Sequence, residues 1–146
     1  AVSPGDYAVL ERTWRAGDMG ALDQPMPARL HVADPRGESA ANHLTVQRRP
    51  ILYTMESTDH PEDVDFSGVR LPRNAEWTAR FEPDVLGGVT VLETDALAYE
   101  SGHGKGAGLY HELPLGEPKT FRLRLIPYYA WNNRGTPRMT VWIPVS

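Results

Sequence analysis

The sequence predicts an all-β fold, an antiparallel two-sheet β-sandwich of jelly-roll-like form, and three observations carry that expectation. Thirteen glycines and thirteen prolines are spread so evenly over the 146 residues that the longest stretch free of both, Val89 to Ser101, is 13 residues. A helix of ordinary length would have to carry a breaker, whereas short strands fit between them. Several segments alternate in period two and are rich in β-branched and aromatic side chains, as a sheet with one buried face requires. Turn-forming clusters separate those segments.

In chain order, Tyr7, Val9 and Glu11 alternate with Ala8, Leu10 and Arg12, which predicts a first strand. Leu44 and Val46 alternate with Thr45 and Gln47, and Ile51, Tyr53 and Met55 continue the pattern beyond Pro50. Phe121, Leu123 and Leu125 against Arg122, Arg124 and Ile126 give the cleanest half-buried strand. Met139, Val141 and Ile143 against Thr140, Trp142 and Pro144 predict a last one. The turns fall at Ala16-Gly17-Asp18, Asp34-Pro35-Arg36-Gly37, Glu82-Pro83-Asp84, Leu86-Gly87-Gly88 and Arg134-Gly135-Thr136-Pro137. Asp95 to Glu100 is the one stretch compatible with a short helix. The Gly-rich run Gly102 to Gly108 reads as a loop.

Length and charge exclude several classes. A chain of this size is one domain's worth and buries roughly 70% of its unfolded surface, so it needs neither a staple nor a metal to fold. Absence of cysteine removes disulfides, thiolate metal ligands and a cysteine nucleophile. A net charge of −4 argues against a sequence-independent grip on nucleic acid. No apolar run approaches the ~20 residues of a membrane span. Ala1 to Asp6 lack the charged start and apolar run of a signal peptide. Without an initiator Met the chain reads as a processed or excised piece, and localisation, secreted or cytoplasmic, is not legible.

The candidate chemistry is sparse. His31, His43, His60, His103 and His111 show no His-x-His or His-x3-His spacing, so surface or edge-strand roles are favoured over metal ligation. His103 and His111 flank the Gly-rich loop. Asp59, Glu62, Asp63 and Asp65 place four carboxylates in seven residues without the spacing of a calcium loop, and a solvated acidic loop is favoured. Lys105 lies in a run superficially like a phosphate loop but is followed by Gly106 instead of Ser or Thr. Glu11 with Glu56, or Glu82 with Glu93, are drawable as a glycosidase dyad, with no spacing to support either. The aromatic segment Ile126 to Arg134 offers Tyr128, Tyr129 and Trp131 with Asn132 and Arg134 as a candidate sugar platform. If the segment is extended, Tyr129 and Trp131 share a face and Tyr128 takes the other. The alternative is that the rings fill the core while Asn132, Asn133, Arg134 and Gly135 build a turn.

Five blocks carry a family resemblance. Tyr7-Ala-Val-Leu-Glu-Arg-Thr-Trp-Arg-Ala-Gly-Asp18, Gln24-Pro-Met-Pro27, Val46-Gln-Arg-Arg-Pro-Ile-Leu-Tyr53 with Glu56, Leu86-Gly-Gly-Val89, and Ile126-Pro-Tyr-Tyr-Ala-Trp-Asn-Asn-Arg-Gly135 with Met139 and Trp142 run in family order. They resemble the C-terminal β-sandwich region of glycoside hydrolase family 127, the β-L-arabinofuranosidase-type enzymes. The resemblance departs at Arg48-Arg49-Pro50, where the family commonly has Arg-Gly-Pro, and at Thr54, where a small thiol residue is often found.

The resemblance implies an (α/α)6 catalytic barrel elsewhere in a parent enzyme, working by a cysteine nucleophile with zinc held by cysteines and a glutamate. None of those residues has a counterpart here. No cofactor is expected in this chain, and zinc only in the catalytic domain outside it. The implied organisation is 1–27 as an N-terminal strand segment, the end of a preceding sandwich, and 28–146 as the C-terminal sandwich. The expected role is non-catalytic support of the barrel, with homo-oligomerisation as a further role. The alternative is a carbohydrate-binding module for arabinose-containing plant glycans. Neither nucleic acid nor a membrane is expected as a partner.

Overall fold

The computed structural model describes residues 5–100 and 116–146. Nine strands follow in order: β1 (Arg29–Val32), β2 (His43–Arg48), β3 (Ile51–Glu56), β4 (Val69–Arg70), β5 (Thr78–Glu82), β6 (Val89–Ala98), β7 (Lys119–Pro127), β8 (Met139–Thr140) and β9 (Ile143–Pro144). Short 3-10 turns occupy Glu38–Ala40, Ser57–Asp59, Phe66–Gly68 and Tyr128–Ala130, and the described residues hold no α-helix. The all-β, antiparallel expectation is met. Asp95 to Ala98, open to a helical reading from sequence, completes β6 and pairs with β7 from Asp95↔Arg122 to Ala98↔Lys119.

The strands are hydrogen-bonded along a single path, β1-β2-β3-β7-β6-β4, with β5 on β6, β8 on β3 and β9 on β2. The sheet is curled, and its C-terminal segment stitches it closed. β1 holds one edge of β2 at Val32↔Leu44, so β9, which pairs with Leu44 through Ile143, takes the edge that β3 uses at Gln47 and Arg48. Just beyond β4, the Leu71 N–H donates to Pro144 O at 2.9 Å and Leu71 O accepts from the Ser146 N–H at 3.2 Å. These bonds join the β4 end of the path back to β2. Serving β3 and then β2 also explains why the last predicted strand is broken at Val141 and Trp142: each half has a different partner.

Strand alternation then decides the two faces. Leu44, Val46, Tyr53, Met55, Leu92, Ala96, Ala98, Phe121, Leu123, Leu125 and Ile143 point into one main core. That is the face predicted from periodicity for β2, β3 and β7. A second, smaller cluster of Val89, Val91, Ile126 and Ala130 lies on the opposite face of β6 and β7, against Val85, Leu86 and Trp131. The turn at 83–88 that brings β5 back onto β6 places Leu86, Gly87 and Gly88 at positive φ and closes with Gly88 N–H on Val85 O at 2.9 Å.

The strand predicted at Tyr7 to Arg12 is not a strand in this chain. Residues 5–28 join no ladder. Their order is local: Asp18 accepts from the Arg15 N–H (2.9 Å) and from Arg12 (3.0 Å), and Arg12 stacks over Trp14. Tyr7 is 95% exposed, and Val9, Leu10, Met19 and Leu22 also face water. Alternation marks a segment suited to a half-buried sheet but does not supply the neighbouring strand that buries it.

Gly68 is required by close approach. A Cβ there would stand 1.9 Å from Tyr99 O, while Gly68 O accepts the Tyr99 N–H at 3.0 Å. Gly68→Ala is expected to destabilise the fold by about 2–3 kcal/mol through this overlap, read from the urea midpoint. A loss within ~0.5 kcal/mol would mean the end of β6 moves aside freely.

Candidate functional site

On β3 the alternation that sends Tyr53 and Met55 inward turns Thr54 and Glu56 to the opposite face, yet both are fully buried. The connection from β7 to β8 folds over them. The Thr54 hydroxyl donates to Thr140 O at 2.9 Å. The Glu56 carboxylate accepts the Asn132 N–H at 2.7 Å and Arg134 Nη2 at 2.6 Å. The same guanidinium donates to both oxygens of Asp59, whose side chain is 5% exposed and sits in the turn after β3. The hydrogen bonds to Asp59 and then to Glu56 strengthen the proton affinity of Arg134 against the cost of its burial. Two buried carboxylates need such a partner, and the planar fork of arginine reaches both at once.

The charges continue across the sheet. Arg124 of β7 lies 3.8 Å from Asp59 and donates to Glu82. Arg80 reaches Glu82 (2.6 Å) and Glu93 (3.0 Å), and Arg122 reaches Glu93 (3.9 Å) and Asp95 (3.4 Å). The result is an alternating ladder from Glu56 to Asp95 on the face opposite the core. Glu82 and Glu93, considered as a hydrolytic dyad, are bridged by Arg80, whose guanidinium occupies both carboxylates. Glu56 is sealed from solvent, and Glu11 lies exposed in the N-terminal segment. A cavity of about 500 Å³ beside β1, lined in part by Leu30, Val32, Pro35, Ala40 and Val145, has one acid in its wall, Asp34, which is paired with Arg36 at 2.8 Å. The two-carboxylate mechanism of most glycosidases needs a pair of opposed acids, and this wall supplies one.

The four acids of the 59–65 loop are dispersed. Asp59 serves Arg134, Asp63 pairs with Lys119, Asp65 accepts from the Ser67 N–H and hydroxyl, and Glu62 faces solvent. His31 is on β1, and His43 opens β2 with its Nδ1 2.7 Å from Ala41 O. The described residues contain no group of three or more His, Asp or Glu arranged for a metal ion. His103, His111, Lys105 and the Gly-rich run lie outside the described residues.

The aromatic segment is not extended. Tyr128–Ala130 forms a 3-10 turn, in which residues three apart eclipse, so Tyr128 and not Tyr129 sits with Trp131. Their ring centroids are 6.4 Å apart with planes tilted by 34°. Ala130 is buried and Trp131 packs on the second cluster, while Tyr128 is 42% and Tyr129 67% exposed. Asn132, at φ 62°, spends its N–H on Glu56, and Asn133 Nδ2 donates to the carbonyls of Ala130 and Trp131. Of the five candidate sugar-contacting residues, the structure gathers all on one turn and commits Arg134 to carboxylates. Sequence reasoning named Glu56, Asp59 and Arg134 separately and missed that they form one cluster. The signal present was a glutamate at the end of an otherwise buried strand.

The fold and this face define an all-β domain in which the acids and arginines of the ladder from Glu56 to Asp95 are tied to one another. Residues 28–144 match the glycoside hydrolase family 127 C-terminal domain, and the chain belongs to that family. It is 34% identical over 126 residues to a non-reducing end β-L-arabinofuranosidase of Bifidobacterium longum subsp. longum, covering 84% of this chain and 19% of that protein. Among solved structures it is similar to a GH127 β-L-arabinofuranosidase from Geobacillus stearothermophilus T6, with TM-score 0.69 and 36% identity over 84% of this chain and 19% of that one. A second, described as a glycoside hydrolase, superposes with TM-score 0.74 at 33% identity, over 84% and 20% of the two chains. The chain spans about a fifth of the length of the relatives it matches.

Arg134→Ala would strand Glu56 without a cation and leave Asp59 with Arg124 alone, 3.8 Å away. A loss of about 3–5 kcal/mol is expected in chemical unfolding, with Arg134→Lys recovering part of it. A cost under ~1 kcal/mol would show the cluster to be a bystander.

Proposed function

We propose that the chain is a non-catalytic accessory domain of a longer β-L-arabinofuranosidase-type glycoside hydrolase, supporting an (α/α)6 catalytic barrel that holds the zinc and the nucleophile. The observation that carries this reading is the match of residues 28–144 to a C-terminal domain family whose relatives here are about five times longer than the chain. The self-neutralised carboxylates support it, since Glu56, Asp59, Glu82 and Glu93 are each tied to an arginine. In this reading 28–146 is the C-terminal domain, and a sheet this curled packs its two halves over one core as a jelly-roll-like sandwich. Residues 1–27 contribute strands to a preceding sandwich, which would bury Tyr7, Val9 and Leu10. Apolar surface left over serves contacts with the barrel or a second copy.

The purified 146-residue chain is expected to release no sugar from a β-L-arabinofuranoside above buffer. In the full-length protein Arg134→Ala is expected to lower Tm and activity together. Turnover by the chain alone would overturn the reading.

A second reading, a carbohydrate-binding module for arabinose-containing plant glycans, is favoured by the exposure of Tyr128 and Tyr129 beside Asn132. An aromatic face stacks on a sugar while an amide meets its hydroxyls. Arabino-oligosaccharide titrated into the chain is expected to bind and to weaken about tenfold, ~1.4 kcal/mol, in Tyr129→Ala. Equal binding by the variant, or none by either protein, rejects it.

A further inference from the structure

His60 is a part-buried titratable group outside the ionic ladder. Its ring is held edge-on between Phe66 and Phe121, with centroids 6.1 and 5.6 Å away and planes at 67° and 78°. Both ring nitrogens are sealed from solvent without a hydrogen bond of regular geometry, although the Glu56 backbone is near enough to favour the charged ring. His60 directly follows Asp59, and its own N–H closes the 57–59 turn on Ser57 O at 3.3 Å. The charges around it belong to other partners. Asp59, the side chain that favours an imidazolium, gives both oxygens to Arg134. On the loop that follows, Asp63 is paired with Lys119 of β7, and Asp65 accepts from Ser67. Arg124 of β7 lies against Asp59 and Glu82, and Arg138 stacks over Phe66 at 5.0 Å.

We propose that His60 and Asp59 form an acid-sensitive latch on the aromatic turn: a proton on the caged ring drives the 57–60 turn outward, withdraws Asp59 from Arg134 and loosens Tyr128 to Arg134. An imidazolium carries two N–H donors and the Glu56 backbone can meet one of them, so the other must either leave the Phe66–Phe121 slot for water or take the carboxylate now holding Arg134. Either movement breaks the Asp59–Arg134 bonds and leaves the turn on Glu56 alone. The geometry is supported by desolvation, which pulls the His60 pKa below its usual 6.5. With the folded value lowered, the neutral ring's contribution to stability is complete above about pH 6.5 and is lost as the pH falls toward the folded value. The latch stands whichever surface the turn meets, a catalytic domain or a sugar.

The test is an NMR titration of the chain from pH 7.5 to 5, following the His60 ring protons and the Trp131 indole N–H in the wild type and in His60→Phe, which keeps the aromatic packing and removes the proton. Trp131 is expected to shift with the His60 midpoint, below 6.5, and to stay fixed in His60→Phe. A Trp131 signal that is still while His60 titrates, or that moves alike in the variant, overturns the latch. Should His60→Phe not fold, the wild-type comparison decides by itself, since coincident midpoints are required.

Discussion

One guanidinium between two buried carboxylates governs the outer side of this domain. Arg134 donates hydrogen bonds to Glu56 and Asp59, and through them the long connection after β7 is laid over β3. Without it the strand would end in an unpaired buried anion, and the turn bearing Tyr128, Tyr129 and Trp131 would lose its seat. Asn132 adds a backbone donor to Glu56 that requires a left-handed residue, a conformation asparagine tolerates better than most. The aromatic display is therefore a product of electrostatics beneath it, and the exposure of the tyrosines follows from where Ala130 and Trp131 are anchored.

The inner side depends on a different constraint. A curled sheet leaves an opening between its first and last strands, and the C-terminal segment fills it by pairing with β2 and with Leu71 in turn. Ile143 thereby enters the same core as Leu44 and Leu71. The two sides meet at β3, where Met55 belongs to the core and Glu56 to the ionic cluster. Changes at one end of this strand are felt on both faces.

How much of this was legible in the sequence differs from element to element. β7 was readable because Phe121, Leu123 and Leu125 face a core while Arg122 and Arg124 meet acids, so its alternation is intact. The N-terminal segment has the same alternation and no strand, since period two reports a preference for a two-sided environment and not the presence of a neighbour. The facing of Tyr128 to Trp131 stayed open in the sequence because a 3-10 turn repeats every three residues, and Pro127 and the following polar residues do not distinguish it from an extended run. The partners of Arg134 stand 75 and 78 positions earlier. Local spacing cannot connect them, and only the topology that places the 128–135 connection on β3 does so.

The ladder from Glu56 to Asp95 counts five carboxylates against four guanidiniums, close to cancellation over a short span. Opposite charges so interleaved project little field beyond the surface. The ladder itself therefore adds little long-range electrostatic steering for a protein approaching this side. What such a side offers instead is shape and hydrogen-bonding groups whose directions are fixed by their ion pairs.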